Sequence, residues 1–543
     1  MKRAAPAWWT SPRPLWIIVA LFAWLLATAW MRPLMAPDEG RYGGVALAML
    51  RSGDWLVPRL DGLPFFHKPP LFYWIGAAAM SITGPVEWAA RLPSVLGGAV
   101  AAAALFLFLR RWSTARLALL STVVLATTPF FFLGAQFANL DMLVAGCISA
   151  TVLLAAGAAL AREREEPWRA LLAGAWLFAA AGLLAKGLIG LVLPAMVIFI
   201  WCATTRRLAS LRLALWLPGW AVLLAVAGPW FVAMQLRYPE FFDYFVVTQH
   251  FRRFASSGFN NEHGFWFYLP VLAGLTLPWF AWVFVPRGSN EGTSDDAARP
   301  RLPDIDRLMW IWLAVIVVFF SLPRSKLVGY VLPALPPLAY LIAQRVLASR
   351  SLEALLPKVR AMTLAAATVC IGCVVAVMVY SSPPGTRLRL PAGQAVAPGE
   401  QVLMLDGYHY EIPFYWNLRE PVLVADDWKA AAEDTRDNWR KEIFDASRFD
   451  PARAARTLVD RTELADVLCV PHATWVVGSN TAHLANPWLH HAQLVAVNDG
   501  LAAWHFKGSA TGDPHCLDTA PFPAAAPAAP PTPAPHSGAN GNG

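Results

Sequence analysis

The chain has 543 residues, of which 57% are hydrophobic and only 15% charged, and its mean hydropathy is +0.44. That balance excludes a disordered chain and an ordinary water-soluble globule, and it is the balance of a polytopic membrane protein. The net charge of +8 sits largely in loops between apolar segments and has no aromatic–basic surface motif beside it, so nucleic acid is not an expected partner.

In chain order up to residue 386, stretches of sixteen or more residues without Asp, Glu, Lys or Arg cover 14–31, 69–86, 93–109, 117–140, 142–161, 170–185, 187–205, 213–236, 264–286, 308–323, 327–344 and 361–386. Most approach the roughly 20 residues that a helix needs to cross hydrocarbon. The first lacks a small-residue cleavage site and is expected to remain as a span. The stretch 69–86 opens with Pro69-Pro70 and carries Gly76, Gly84 and Pro85, so it is expected to lie along the membrane surface. One set of loops then holds seventeen Lys and Arg, from Arg110 to Arg360, against six in the other set, from Lys186 to Lys326. By the positive-inside rule the richer set is cytoplasmic. Eleven spans by this count leave everything after 386 outside.

Beyond 386 the composition becomes that of a soluble domain. Runs at 401–405, 421–424 and 465–470 read as short strands, and 427–462 is charged, Ala-rich and helical in character. The expected organisation is a membrane-embedded domain over 1–386, an extracytoplasmic α/β domain over 387–519 and a disordered Ala/Pro-rich tail over 520–543. Cys147, Cys202, Cys370 and Cys373 fall in apolar helices and are expected to pack. Cys469 and Cys516 fall in the outer domain, where an oxidising compartment would permit a disulfide.

Charged residues at the ends of apolar segments carry the functional signal. Asp38, Glu39, Lys68, Asp141, Lys186 and Arg253 all emerge on the outer face in this topology. Pro37-Asp38 is also a good helix start, so the Asp38-Glu39 pair has a capping reading beside a catalytic one. Asp141 stands between 24 uncharged residues before it and 20 after it, a costly place for a carboxylate unless it faces a polar cavity or a partner. Lys186 is isolated in the same way, with snorkelling as its bland explanation. Lys68, Lys186 and Arg253 together suit an anionic head group, with lysine as point charge and arginine as planar fork. Glu39 and His67 would be the candidate ligands of a divalent metal ion.

The loop sequence PDEGRY…SGDWLVPRLDGLPFFHKPPLFYW…EWAARLPS, with NLDM at 139–142, AKG at 185–187, QHFRRF at 249–254 and SKLVGYVLPALPPLA at 325–339, resembles the bacterial polyprenyl-phosphate-dependent glycosyltransferases of the GT-C superfamily. The lipid A aminoarabinose transferases and protein O-mannosyltransferases are relatives within it. The resemblance covers roughly 14–380 and implies an α-helical polytopic fold with about 11–13 transmembrane helices, interfacial helices in the first outer loop, and a small C-terminal α/β domain on the periplasmic side of the inner membrane. It implies a polyprenyl phosphate-linked sugar as donor, with undecaprenyl phosphate the bacterial form, and lipid A, another envelope glycolipid or a protein as acceptor. Carried over residue by residue, it makes Asp38, Glu39 and Asp141 the catalytic carboxylates, and Lys68, Lys186, Arg253 and Tyr330 the holders of the donor phosphate. Two positions depart from the aminoarabinose-transferase pattern: His67 stands where that pattern has Glu, and Gly40 where it has Thr. A secondary transporter and a non-catalytic envelope scaffold are the rival classes. The transporter would place its ionisable groups near the midplane between repeated halves.

Overall fold

The computed structural model describes residues 13–252, 261–285, 303–349, 352–380, 384–433, 438–498, 500–509 and 516–517. Arg253 and the tail from 520 onward lie outside the described residues. Among these residues, six helices are long and apolar enough to cross a membrane: Glu87–Trp112, Leu140–Glu163, Arg169–Lys186, Leu217–Arg237, Val328–Leu347 and Leu355–Tyr380. The stretch expected as one span at 117–140 is instead two helices, Ala115–Ala126 and Pro129–Ala135, bent by 66° at Thr127-Thr128. Pro129 sets that break, because its ring removes a donor from the continuing helix. The helix Leu71–Thr83 has only 13 residues, fewer than a crossing requires.

The centre of the bundle is the pair Glu87–Trp112 and Leu140–Glu163. Gly97 and Gly146 face one another there, and a Cβ on Gly97 would lie 2.6 Å from the Leu143 Cα. Small residues at the crossing let the two backbones approach, the usual basis of close helix association in lipid. Ser94 Oγ donates to the Asn139 carbonyl at 2.9 Å in the same region, so the start of the second helix is fixed against the first.

The loop between the first apolar helix and Glu87–Trp112 is ordered by local chemistry. Asp38–Ser52 is helical, and Arg59–Leu60 (β1) pairs antiparallel with Leu63–Pro64 (β2). The two turn residues, Asp61 and Gly62, have φ of 51° and 77°, the left-handed pair that tight hairpins demand. This turn is wedged against the C-terminal domain: the Val422 amide donates to Asp61 Oδ1 at 2.9 Å.

The C-terminal domain is a six-stranded sheet in the order β5-β4-β3-β6-β8-β7. Its strands are Gln401–Leu405 (β3), Leu423–Asp426 (β4), Leu458–Asp460 (β5), Thr474–Ser479 (β6), Gln493–Val497 (β7) and Leu501–Phe506 (β8). β3 pairs parallel with both β4 and β6, β5 continues parallel beyond β4, and β8 runs antiparallel to β6 and β7. Cys469 and Cys516 are joined by a disulfide. The domain also docks through Tyr415, whose hydroxyl accepts from the Leu34 amide at 2.8 Å and donates to Glu87 at 3.2 Å.

Candidate active site

Asp38 and Glu39 are neighbours in sequence with opposite fates. Successive helical residues point about 100° apart, so one acid turns inward and the other toward the outer cavity. Glu39 is fully buried, and its carboxylate accepts from Arg91 at 2.8 and 3.0 Å, from Arg32, and from the amides of Met35 at 2.9 Å and Ala138 at 2.8 Å. Burial opposes its ionisation, but Arg91 and Arg32 outweigh that and hold its pKa down at about 2. Arg91 also donates to the carbonyls of Ala29, Arg32 and Pro33. This buried cluster ties the loop entry and the helix Asp38–Ser52 to the helix Glu87–Trp112. The expectation of Glu39 as a metal ligand is therefore corrected: both its oxygens are taken by guanidinium and amide donors. No group of three or more His, Cys, Asp or Glu is poised to hold a metal among the described residues.

Asp38, by contrast, lines a cavity of about 950 Å³. Asn139 Nδ2 donates to its Oδ2 at 2.9 Å and Arg41 lies 3.4 Å away. Asn139 also caps the helix Leu140–Glu163, its Oδ1 accepting from the Asp141 amide at 3.1 Å, so one side chain positions both acids. Asp141 is nearly buried and forms an ion pair with Lys186, while the Lys186 ammonium sits 4.7 Å from the centre of the Tyr330 ring. The partner that makes an intramembrane-edge carboxylate tolerable is thus the very lysine whose isolation marked it in the sequence. Lys68, Asp141, Lys186 and Tyr330 all line the same cavity as Asp38.

The cavity's outer wall comes from the C-terminal domain, which contributes Asp406, Tyr408, His409, Tyr410, Glu411, Trp439 and Glu442. Glu442 is the link between the halves. It accepts from the Tyr410 hydroxyl at 2.5 Å, lies 3.1 Å from Arg41 and 3.5 Å from His67 Nδ1. A glutamate at position 67 would set two carboxylates against each other here, which gives the histidine a physical reason. Gly40 has one too: a Cβ there would lie 2.9 Å from the Glu411 amide nitrogen. Burial lowers the His409 pKa to about 4 and raises that of Glu411.

Residues 67–232 match the family described as dolichyl-phosphate-mannose-protein mannosyltransferase. The crystal structure of ArnT from Cupriavidus metallidurans bound to undecaprenyl phosphate superposes with a TM-score of 0.72, covering 93% of this chain and 99% of that one at 23% identity. The chain has the GT-C fold. The resemblance drawn from the loop motifs is upheld at that level. Curated relatives of the chain include the undecaprenyl phosphate-alpha-4-amino-4-deoxy-L-arabinose arabinosyl transferase of Aeromonas salmonicida (strain A449), 32% identical over 58% of this chain and 56% of that protein. The Erwinia tasmaniensis protein of the same name is 33% identical over 58% of this chain and 55% of its own length. The chain thus spans a little over half the length of the curated relatives it matches.

Sequence reasoning placed six cavity residues, Asp38, His67, Lys68, Asp141, Lys186 and Tyr330, and missed the wall built by the C-terminal domain. A signal was present: the run Asp406 to Glu411 packs polar and aromatic residues directly after β3, where an α/β sheet commonly binds ligands.

Proposed function

We propose that the protein transfers a sugar from a polyprenyl phosphate-linked donor to an envelope acceptor at the outer face of the bacterial inner membrane, with the C-terminal domain in the periplasm. The observation that carries this reading is the convergence of Asp38, Lys68, Asp141, Lys186 and Tyr330 on one cavity roofed by the outer domain. The seventeen-to-six distribution of loop cations supports the orientation. The comparisons support undecaprenyl phosphate as the lipid carrier, and lipid A is the favoured acceptor, with another glycolipid or a protein in the same role.

In this reading Lys68 and Lys186 hold the donor phosphate, Tyr330 flanks Lys186, and Arg253 joins them on the strength of the sequence resemblance. The acceptor oxygen attacks the anomeric carbon from the face opposite the phosphate. The carbon–oxygen bond to phosphate breaks, its electron pair leaves with the polyprenyl phosphate, and the configuration inverts. The two ammonium groups stabilise the charge gathering on the departing phosphate. Asp38 takes the proton when the acceptor is a hydroxyl, and orients an acceptor that is already ionised. Asp141 holds Lys186 in place. Glu39 acts from behind, fixing the helix on which Asp38 stands.

Asp38→Asn tests the reading in proteoliposomes containing lipid-linked donor and acceptor. Asn keeps the shape of Asp and can still accept from Asn139, but it cannot take up a proton. The expected result is an intact fold with turnover reduced by roughly 10²–10⁴ for a hydroxyl acceptor. Turnover equal to the parent would remove Asp38 from the chemistry.

A further inference from the structure

The outer wall of the cavity lies at a particular place in the C-terminal sheet. β3 leads through β4 to β5 on one side, whereas β6 lies on the other side of β3, so the chain reverses its direction of winding between β3 and β6. Leu405 and Asp406 stand at the carboxyl end of β3, Ser479 ends β6, and Leu501, paired with Ser479, begins β8 at the same edge. All four line the cavity, as does Gly500. Open α/β sheets bind ligands in the crevice outside their strand ends at such a reversal. Here that crevice opens into the reaction chamber.

Its chemistry is uniform. Among the described residues, every lining group from the C-terminal domain is neutral or acidic, apart from His409, which burial keeps uncharged at neutral pH. Asp406 is paired with Arg461, and Arg41, contributed by the first loop, is bound by Glu442 and Asp38. Glu411 lines the cavity and is only 2% exposed, its carboxyl lying against Gly385. Trp439 is a braced aromatic platform on the same wall. Its ring packs edge-to-face with Trp428 at 6.2 Å and lies 5.8 Å from the Arg440 guanidinium, which Asp426 holds at 2.7 and 3.0 Å.

We propose that this crevice is the acceptor subsite, and that it recognises a neutral, hydroxyl-rich sugar ring: Trp439 takes the ring's apolar face, and Asp406 and Ser479 bond its hydroxyls. Acidic walls repel phosphate, so phosphate groups of donor or acceptor stay with Lys68 and Lys186. The word acceptor rests on the transferase reading above; the sugar-binding crevice does not.

Saturation-transfer NMR on the purified full-length chain in detergent micelles tests it, with methyl N-acetylglucosaminide and inorganic phosphate as probes. Saturation is expected to reach the sugar ring protons, to weaken tenfold or more in Trp439→Ala, to return in part in Trp439→Tyr, and to persist when phosphate is added. Ser479 is exposed, so Ser479→Trp fills the crevice without disturbing the core and is expected to abolish the signal. No sugar binding by the parent, displacement of sugar by phosphate, or unchanged binding in both Trp439→Ala and Ser479→Trp would each overturn the proposal. In turnover assays Trp439→Ala is expected to raise the acceptor KM about tenfold and leave the donor KM as it was. A chain that binds the sugar in the crevice yet never consumes lipid-linked donor refutes the transferase reading and leaves the crevice standing. A chain that turns over with an unchanged acceptor KM in Trp439→Ala refutes the crevice alone.

Discussion

Gly40→Ala isolates the contact that closes the cavity. A Cβ at position 40 would lie 2.9 Å from the Glu411 nitrogen, 3.0 Å from the Tyr410 carbonyl carbon and 3.1 Å from the Tyr410 Cβ. Ordinary contact begins near 3.4 Å, so the outer loop must retreat by about 0.5 Å, and a backbone has no rotamer by which to escape. Overpacking of this kind costs about 1–3 kcal/mol, against a gain of about 0.5–1 kcal/mol for replacing a mid-helix glycine by alanine. Gly44 on the same helix supplies the control, because its added Cβ would find nothing closer than the Tyr410 carbonyl oxygen at 3.7 Å. Gly44→Ala is therefore expected to match or exceed the parent in thermal stability. Gly40→Ala should fall below Gly44→Ala by about 1–3 kcal/mol. Hydrogen exchange should localise the loss to amides 408–412, and acceptor KM should rise as Tyr410 and Glu442 shift. Equal stability and equal exchange in the two variants would refute the idea that the loop is seated on a bare helix face.

Glu39→Gln leaves Arg32 and Arg91 buried without their counter-charge and is expected to destabilise the fold by about 3–5 kcal/mol, with expression and melting as the readouts. Burial raises the Asp61 pKa from 3.8 to about 7, although the Val422 amide opposes it. As pH climbs from 3.8 toward 7 the folded chain keeps a proton that the unfolded chain has lost, so stability falls across that window by up to about 4 kcal/mol. Asp61→Asn, which still accepts from Val422, should flatten this dependence and stabilise the protein more at pH 8 than at pH 5 in thermal melts. Lys186→Met is expected to lower transfer roughly ten- to a hundredfold through loss of a charge-assisted contact worth about 1.5–3 kcal/mol. Donor titration of single-turnover rates checks it, and parent-like rates would take Lys186 out of the phosphate site.

Apolar run lengths and the placement of arginines made the membrane class legible in sequence, because both report directly on transfer into lipid. Isolation made Asp141 and Lys186 legible for the same reason: a charge set between two long uncharged stretches needs a partner, and each is the other's. The division of labour between Asp38 and Glu39 was not legible, since it depends on Arg32 and Arg91, whose sequence positions give no sign that they meet. The bend at Thr127-Thr128 escaped because a break in a continuous apolar run leaves hydropathy unchanged. The outer wall escaped because Tyr410, Glu411 and Glu442 reach the first loop only through a docking that lies more than 360 residues away in the chain.

That docking makes the two halves co-adapted parts. Gly40 faces Tyr410 and Glu411, His67 faces Glu442, and a Cβ on Gly62 would strike Pro421 at 2.8 Å. An outer domain borrowed from a related chain to redirect acceptor choice would meet a first loop shaped for another surface. Such a chimera has to carry residues 36–68 along with the graft, while the membrane helices bearing Asp141 and Lys186 can stay as they are.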